Sequence, residues 1–598
     1  VTAATAEPGT DAGPAERELL VRVLSALLRE DVVGLRTRGT LLRRPDGPWL
    51  RLPAADCGAL LLPLAPDGYQ AEYAARLPLL VRESDGARLT GLDAVPAALR
   101  ALADPRDHEG FDAFAAECRQ ALATLRLHEA TRDELYATLT HRHGPDPARW
   151  TGLVAGLAYD ALAARLDHPV YPVSRGRSGL DEDQLRAYAP EFHPRFALRW
   201  VLLPRTALTL SDGAASGGLP GCWPRPADLG RPGLDSSHFA LPVHPLTAGG
   251  PLEAALREAG PAGEAVPAGR PSLDVAPTLS MRTVALDADS RVHLKLPLPT
   301  STLGMRNKRT IKPGTLVDGA AGQRLLETVL AREPRFRETV LQADETVYAH
   351  AGHELLAVLC RRWPAGLENS VVVPLAALLA PAPGGRPILD HLADRFYGGD
   401  PLALLDACWA LLFDWQTTLF GYGIALESHQ QNISLVLDRT AAGGTRLRLL
   451  FKDNDSPRIN TVRLRERLGA AAPDPADFTD RRIFGTDDGP VADLFAAITV
   501  HLCAGSYAFG LARRGRAPLD RLLGLVRDRL TEAVGRLGSA PGEAGAVLGA
   551  RLLEAPYLPV KAMVSAGTLL SKERSGAADI NKHYTTGPNY LLPSRAAR

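Results

Sequence analysis

The chain has 598 residues, 45% apolar and 23% charged, a folded globular balance with room for roughly three or four modules of ~150 residues. Lys plus Arg and Asp plus Glu both total 68, so no overall basic field marks it for nucleic acid. Its six cysteines (Cys57, Cys118, Cys222, Cys360, Cys408, Cys503) include no C-x-x-C pair, which gives neither a zinc ribbon nor a disulfide framework and fits free thiols in a reducing cytoplasm.

The opening residues, VTAATAEPGTDAGPAERELL, lack a basic segment followed by an apolar one and read as a frayed polar tail, not a signal peptide. Residues 16–30 carry apolar positions at helical spacing. Helical stretches continue to about residue 150, interrupted by a strand pair near 38–62. From 150 to 300 proline and glycine are dense, and FALRWVLLP, HFALPVHPL, SMRTVAL and VHLKLPL read as strands. Helix returns near 320–350 and dominates beyond 390, apart from one hairpin near 430–455. No apolar run of about 18 residues spans a membrane, and no repeat of 20–50 residues is present.

Two hairpins carry the chemistry. NISLVL, a turn-rich stretch and RLRLLFKDND form strand, loop and strand, and pairing Leu437 with Arg446 brings His429, Gln431 and Asn432 near Asp453 and Asp455. Asn and Asp oxygens suit a hard Mg²⁺ ion beside phosphate oxygens, and His429 can donate to a phosphate. A polar hairpin end whose groups satisfy one another is the other reading. In the second hairpin, SMRTVAL and RVHLKLPL flank the turn DADS, which pairs Leu286 with Arg291 and sets Arg282 opposite Lys295. Facing like charges destabilise a sheet unless an anion lies between them. Ser280, Arg282, Thr283, Lys295, Thr302 and Arg306 then form a triphosphate cradle, or else a solvated, charged sheet face.

Other signals carry less. No phosphate-binding glycine loop is present, and HAGHELL matches no zinc-protease order. HRHG reads as surface, and the N-x-[ST] triplets at Asn432 and Asn454 lie inside the hairpin rather than in a glycosylated loop.

Taken in order, LDHPVYPVSRGRSG, YAPEF, ALPVHPL, PTLSMRTV, KLPLPTSTLGMR, GIALESHQQN and PVKAM resemble the motifs of the IucA/IucC family, the NRPS-independent siderophore synthetases, over about residues 150–575. The resemblance implies an α+β cupped hand: a helical thumb (1–150), β-rich fingers (151–390) and a mainly helical palm (391–598). It implies ATP and Mg²⁺, and activation of a carboxylate such as citrate or a citrate half-amide as its adenylate. An amine or alcohol then attacks to give an amide or ester, with AMP and pyrophosphate released. It implies a cytoplasmic homodimer acting on small molecules, with no nucleic-acid or membrane partner.

By that resemblance Ser280, Arg282, Thr283, Lys295, Thr302 and Arg306 hold ATP, with His429 and Gln431. Arg282, Lys295, Arg306 and His429 carry the reaction. Asn432, Asp453 and Asp455 hold the metal, and His168, Tyr171, Arg175, His244 and Lys561 meet the substrate. Tyr171 and Arg175 stand where the family has His and Lys, and Leu246-Thr247 where it has Trp-Gln, which leaves the identity of the carboxylate open. The order HQQN…KDND also echoes a kinase, but Gln430 and Gln431 occupy the place of its catalytic Asp.

Overall fold

A computed structural model describes residues 13–576 and 583–593. The tail expected over residues 1–12 lies outside the described residues. Helix Pro14–Arg29 begins on a proline and buries Leu19, Leu20, Val23, Leu24, Leu27 and Leu28 along one stripe. The strand pair expected near 38–62 is part of a six-stranded sheet reaching Leu89. Gly47–Ala54 pairs with Gly58–Pro66, and Thr40–Arg44 flanks the pair. The further strands, Tyr73–Ala75, Leu80–Arg82 and Arg88–Leu89, are two or three residues long, too short to show alternation. Helices His108–Ala130 and Arg132–His143 follow.

The middle of the chain builds a nine-stranded sheet with its own core, from Leu198 to Cys360. Its hairpin pairs Thr283 with Lys295 and Ala285 with His293, one residue away from the register expected between Arg282 and Lys295. The Asp289 carboxylate accepts the Arg291 N–H and the Asp289 carbonyl accepts that of Val292, so the turn takes in Arg291. Of SMRTVAL only Thr283–Leu286 is strand; Ser280–Arg282 form a turn.

The second hairpin pairs Asp438 with Arg446 and Ile433 with Phe451, again one residue from the expected register, because Arg439 and Thr445 extend the ladder to a tight turn. It lies in a four-stranded sheet backed by helix Pro401–Gly421. Helix Gly489–Phe495 runs on through a π-helical stretch, Ala496–Gly505, into helix Ser506–Arg513. This run, Gly489–Arg513, is long and apolar enough to cross a membrane, contrary to the expectation of no such stretch, but 89% of its 18-residue apolar window is buried inside the protein. A single apolar core takes in residues from Leu19 to Leu591.

Several buried imidazoles are incompletely bonded. Both ring nitrogens of His128 and His293, and Nε2 of His244, lack a hydrogen-bond partner among the described residues. Burial pushes His128 down to about 2, His244 to about 3, and His293 well below 6.5. Each stays neutral in the folded chain and takes up a proton near pH 6.5 when unfolded. The unfolded state therefore binds more protons as pH falls below 6.5, and stability falls by up to about 1.4 kcal/mol per pH unit per imidazole. Between pH 8 and 5.5 the variant His293→Phe should lose about 1.4 kcal/mol less stability than wild type in urea titrations. Parallel pH curves would show that His293 titrates in the folded protein.

Candidate active site

A cavity of about 600 Å³ lies where the two cores meet. The turn before Thr283–Leu286 supplies Ser280 and Arg282, and the end of Val292–Lys295 supplies Lys295. The following loop adds Thr302, Asn307 and Arg309. His429, Gln431 and Asn432 enter just before strand Ile433–Arg439; Asp453 and Asp455 follow strand Thr445–Phe451. His168, Arg177 and Lys561 close one side, and Ile498 and Leu502 of the π-helical stretch form an apolar wall.

Asp453 is the most constrained residue of the site. Its φ is +58°, a left-handed conformation that Asp tolerates better than most residues. Glu345 holds it there, accepting the Asp453 N–H at 2.9 Å and that of Asn454 at 3.4 Å. Arg361, 1% exposed, donates to Glu345 at 2.5 Å and to Asp453 Oδ1 at 2.6 Å. Lys295 Nζ lies 2.7 Å from Asp453 Oδ1 and 3.3 Å from Asp455 Oδ2. Burial alone would raise the Asp453 pKa; Arg361 and Lys295 outweigh it and hold the carboxyl well below its usual range. Sequence reasoning missed Glu345 and Arg361. They sit on strands Asp344–His350 and Ala357–Arg362, where nothing local tells an inward charge from an outward one.

Backbone contacts fix the two cavity histidines. His168 Nδ1 accepts the N–H groups of Val170 and Tyr171 at 3.2 and 3.1 Å, and His429 Nδ1 accepts that of Gln431 at 3.3 Å. Each ring thus carries its proton on Nε2 and is a neutral donor. Burial pushes His168 down to about 3 and His429 to about 4, helped by His429 in the first case and Lys561 in the second. Asn432 donates an amide N–H to the Glu427 carbonyl at 3.1 Å, and among the described residues its side-chain oxygen has no partner, which leaves it for a cation. Lys561 Nζ lies 3.0 and 3.1 Å from the two carboxylate oxygens of Glu427. Gln430 donates to Leu502 O and Ser506 Oγ, which ties the HQQN turn to the π-helical stretch.

Of the residues expected in the cradle, Ser280, Arg282, Lys295 and Thr302 line the cavity. Ser280 Oγ also accepts the Thr283 N–H at 3.1 Å, and Arg282 Nη1 donates to Thr310 O at 2.6 Å. Thr283 lies behind them, buried, with no partner for its hydroxyl among the described residues. Arg306 does not line the cavity; it donates to Thr568 O at 2.5 Å. Arg309 lines it instead, and among the described residues its guanidinium has no acidic partner within ion-pair distance. Leu303 (φ +57°) and Gly304 (φ +115°) turn the loop so that Gly304 packs on Gly567, where a Cβ would come within 2.8 Å of backbone. The chain reaches the cavity again at Asn307 and Arg309.

Of the expected substrate residues, His168 and Lys561 line the cavity and the other three do not. Tyr171 points at the Glu117 carboxylate, 2.7 Å away, and Arg175 is bonded to Asp167 at 2.7 Å behind the wall. His244 packs between the rings of Tyr188 and Phe196.

Comparison with known proteins finds matches in sequence and in fold. Residues 157–380 match the IucA / IucC family, and residues 407–573 match the ferric iron reductase FhuF-like transporter family. Staphyloferrin A synthase of Staphylococcus aureus is 26% identical over 363 residues, 57% of this chain and 58% of that protein. Rhizobactin siderophore biosynthesis protein RhbC of Rhizobium meliloti is 27% identical over 353 residues, 51% of this chain and 52% of that protein. The chain thus spans little more than half the length of these curated relatives. Over 96% of this chain the fold is that of petrobactin biosynthesis protein AsbB from Bacillus anthracis (TM-score 0.73, 16% identity, 95% of that chain). It is also that of ATP-bound aerobactin synthetase IucA from Klebsiella pneumoniae (TM-score 0.66, 18% identity, 96% of this chain and all of that one). The sequence match, the named relatives and the shared fold agree, and residues 157–380 are similar to the IucA / IucC family.

Proposed function

We propose that the cavity binds ATP and a polycarboxylic acid such as citrate or a citrate half-amide, and joins the acid to an amine or alcohol in siderophore-type biosynthesis. The observation that carries this reading is that one cavity is lined both by the guanidinium groups of Arg282 and Arg309 and by the side-chain oxygens of Asp453, Asp455 and Asn432. A carboxylate oxygen of the acid attacks the α-phosphorus. The acyl–O–P bond forms as the bond to pyrophosphate breaks, its electron pair leaving on pyrophosphate. The amine nitrogen then attacks the acyl carbon, AMP leaves with the electron pair of the C–O bond, and one proton is released. Two anions must approach in the first step, so Arg282 and Arg309 offset their repulsion, and the neutral His168 and His429 donate from Nε2.

The residues fit a magnesium ion, which needs one or two carboxylates once phosphate oxygens complete its shell. Asp455, Asp453 and the free oxygen of Asn432 would hold it, and when bound it supplies positive charge to the polyphosphate. Asp455→Asn should shift the Mg²⁺ concentration for half-maximal activity upward by on the order of tenfold. A titration that overlays wild type removes Asp455 from the ligand set. We propose a homodimer as the solution state.

The test is nucleotide release across a panel of carboxylic acids, with hydroxylamine as acceptor. AMP and a hydroxamate support the reading; ADP supports a phosphotransferase, and neither product overturns both. The phosphotransferase is disfavoured because Gln430 is bonded into the π-helical stretch and Glu427 to Lys561, leaving no free carboxylate base just before Asn432 among the described residues. The name of the second matched family speaks of iron reduction. Residues 407–573 hold only Cys408 and Cys503, both buried, short of the four thiolates of an iron–sulfur cluster.

A further inference from the structure

The loop that brings Arg309 to the cavity is held from outside it. Ser301 Oγ donates to Met305 O at 2.9 Å, Asn307 Nδ2 to Thr302 O at 2.9 Å, and the Arg309 N–H to Thr300 O at 2.8 Å, so residues 300–309 form one closed lobe. Its inner side puts Thr302, Leu303, Asn307 and Arg309 on the cavity wall. Its outer side rests on the π-helical turn Ser565–Leu569. There the Met305 N–H donates to Thr568 Oγ1 at 3.0 Å and the Arg306 N–H to Gly567 O at 2.9 Å. The Arg306 guanidinium adds its bond to Thr568 O, but neither backbone bond depends on it.

A hydroxyl has one proton to give, and the direction of that proton decides what its oxygen can accept. The buried Thr568 hydroxyl gives its proton to Glu117 Oε1, at 2.6 Å, which leaves a lone pair for the Met305 N–H. Oε2 of the same carboxylate accepts the hydroxyl of the buried Tyr171 at 2.7 Å. Burial pushes the Glu117 pKa up, and the two hydroxyl donors, with Arg306 nearby, oppose it. Glu117 comes from the middle of helix His108–Ala130, whose Gly110 lies so close to Leu569 O that no Cβ fits between them. Helix, turn and lobe are thus stacked in close packing, and one line of hydrogen bonds, Glu117 to Thr568 to Met305, runs through the stack. Glu117, Tyr171 and Thr568 all lie outside the cavity lining.

We propose that Glu117 is a positioning residue for the nucleotide: through the Thr568 hydroxyl it sets the lobe that carries Thr302 and Arg309. The inference rests on the adenylation reading and adds a determinant of ATP binding on the amino-terminal helix, outside the pocket itself. Thr568→Val keeps the shape and removes the hydroxyl, and Thr568→Ser keeps the hydroxyl. Hydroxamate formation is followed with the acid of the panel that gives most product. Thr568→Val and Glu117→Leu should each raise the KM for ATP about tenfold and leave the KM for the acid within about twofold of wild type. Thr568→Ser should bring the ATP value back to within about twofold. In an Arg309→Met background Thr568→Val should change the ATP KM by less than about twofold, because the group it positions is gone. Equal rises in both KM values overturn the inference. So does a Thr568→Ser variant no better than Thr568→Val, or an undiminished effect on Arg309→Met. Loss of soluble protein in both Thr568→Val and Glu117→Leu overturns it too, since the cluster would then serve the fold alone. Wild-type protein that forms no hydroxamate overturns the adenylation reading, and this inference with it; hydroxamate formed with a wild-type ATP KM in both variants overturns this inference only.

Discussion

Arg309→Met is expected to cut ATP-dependent hydroxamate formation by about two orders of magnitude while leaving thermal stability unchanged or higher. The two effects share one cause. Arg309 is desolvated, lies near Arg282, and has no acidic partner among the described residues. Burial first, and Arg282 second, push its pKa well below the usual value, so the fold bears a cost for keeping it charged. Methionine fills similar space without that cost. A bound phosphate or carboxylate relieves it, at about 1.5–3 kcal/mol per charge-assisted hydrogen bond, and two such bonds account for the loss expected. Arg306→Met is the control: its guanidinium is bonded to Thr568 O, so it should lower stability more than it lowers turnover. Equal catalytic losses in the two variants would show that the loop acts as a unit, and a destabilised Arg309→Met would show that the guanidinium has a structural partner.

Arg361→Met should cost about 3–5 kcal/mol of folding stability, the usual consequence of stripping one partner from a buried charge network. Glu345 and Asp453 would both lose the cation that compensates them, with Glu345 only 1% exposed. Native domains have only about 5–15 kcal/mol to lose, so the variant should give less soluble protein and a lower urea midpoint. Glu345→Gln in the same chain should restore part of the loss, because it removes one of the stranded charges. A wild-type midpoint for Arg361→Met would mean that Lys295 alone holds Asp453, and the account of the left-handed turn would fall.

The sequence and the structure agree where local pattern decides and part where tertiary geometry does. Both hairpins were legible because their strands alternate and the polar residues cluster at one end. Their registers were each misread by one residue, since a turn that absorbs Arg291 and a ladder that includes Arg439 and Thr445 leave no mark in composition. Arg306 and Arg309 read alike as letters. Two consecutive residues of positive φ choose between them, and one of the two is a leucine, whose letter gives no sign of it. Tyr171 drew attention as a departure from a family motif, yet its hydroxyl reaches Glu117, 54 positions earlier, a pairing that no local window contains.

The first helix also meets the end of the chain. Glu30 accepts the backbone N–H groups of Val564 and Ser565, at 3.0 and 2.8 Å, and the Ser565 hydroxyl at 2.9 Å, across 534 and 535 positions. On the ribosome, at roughly 5–20 residues per second, about half a minute to two minutes separate the synthesis of this carboxylate from that of its partners. The apolar stripe of the helix meets strand Tyr73–Ala75 and helix His108–Ala130 far sooner, so for most of that interval it is the carboxylate, not the stripe, that waits. Slow translation should therefore prolong a stage in which the amino-terminal layer has packed around a carboxylate without its hydrogen-bond donors, a stage that closes as the final strand pair emerges.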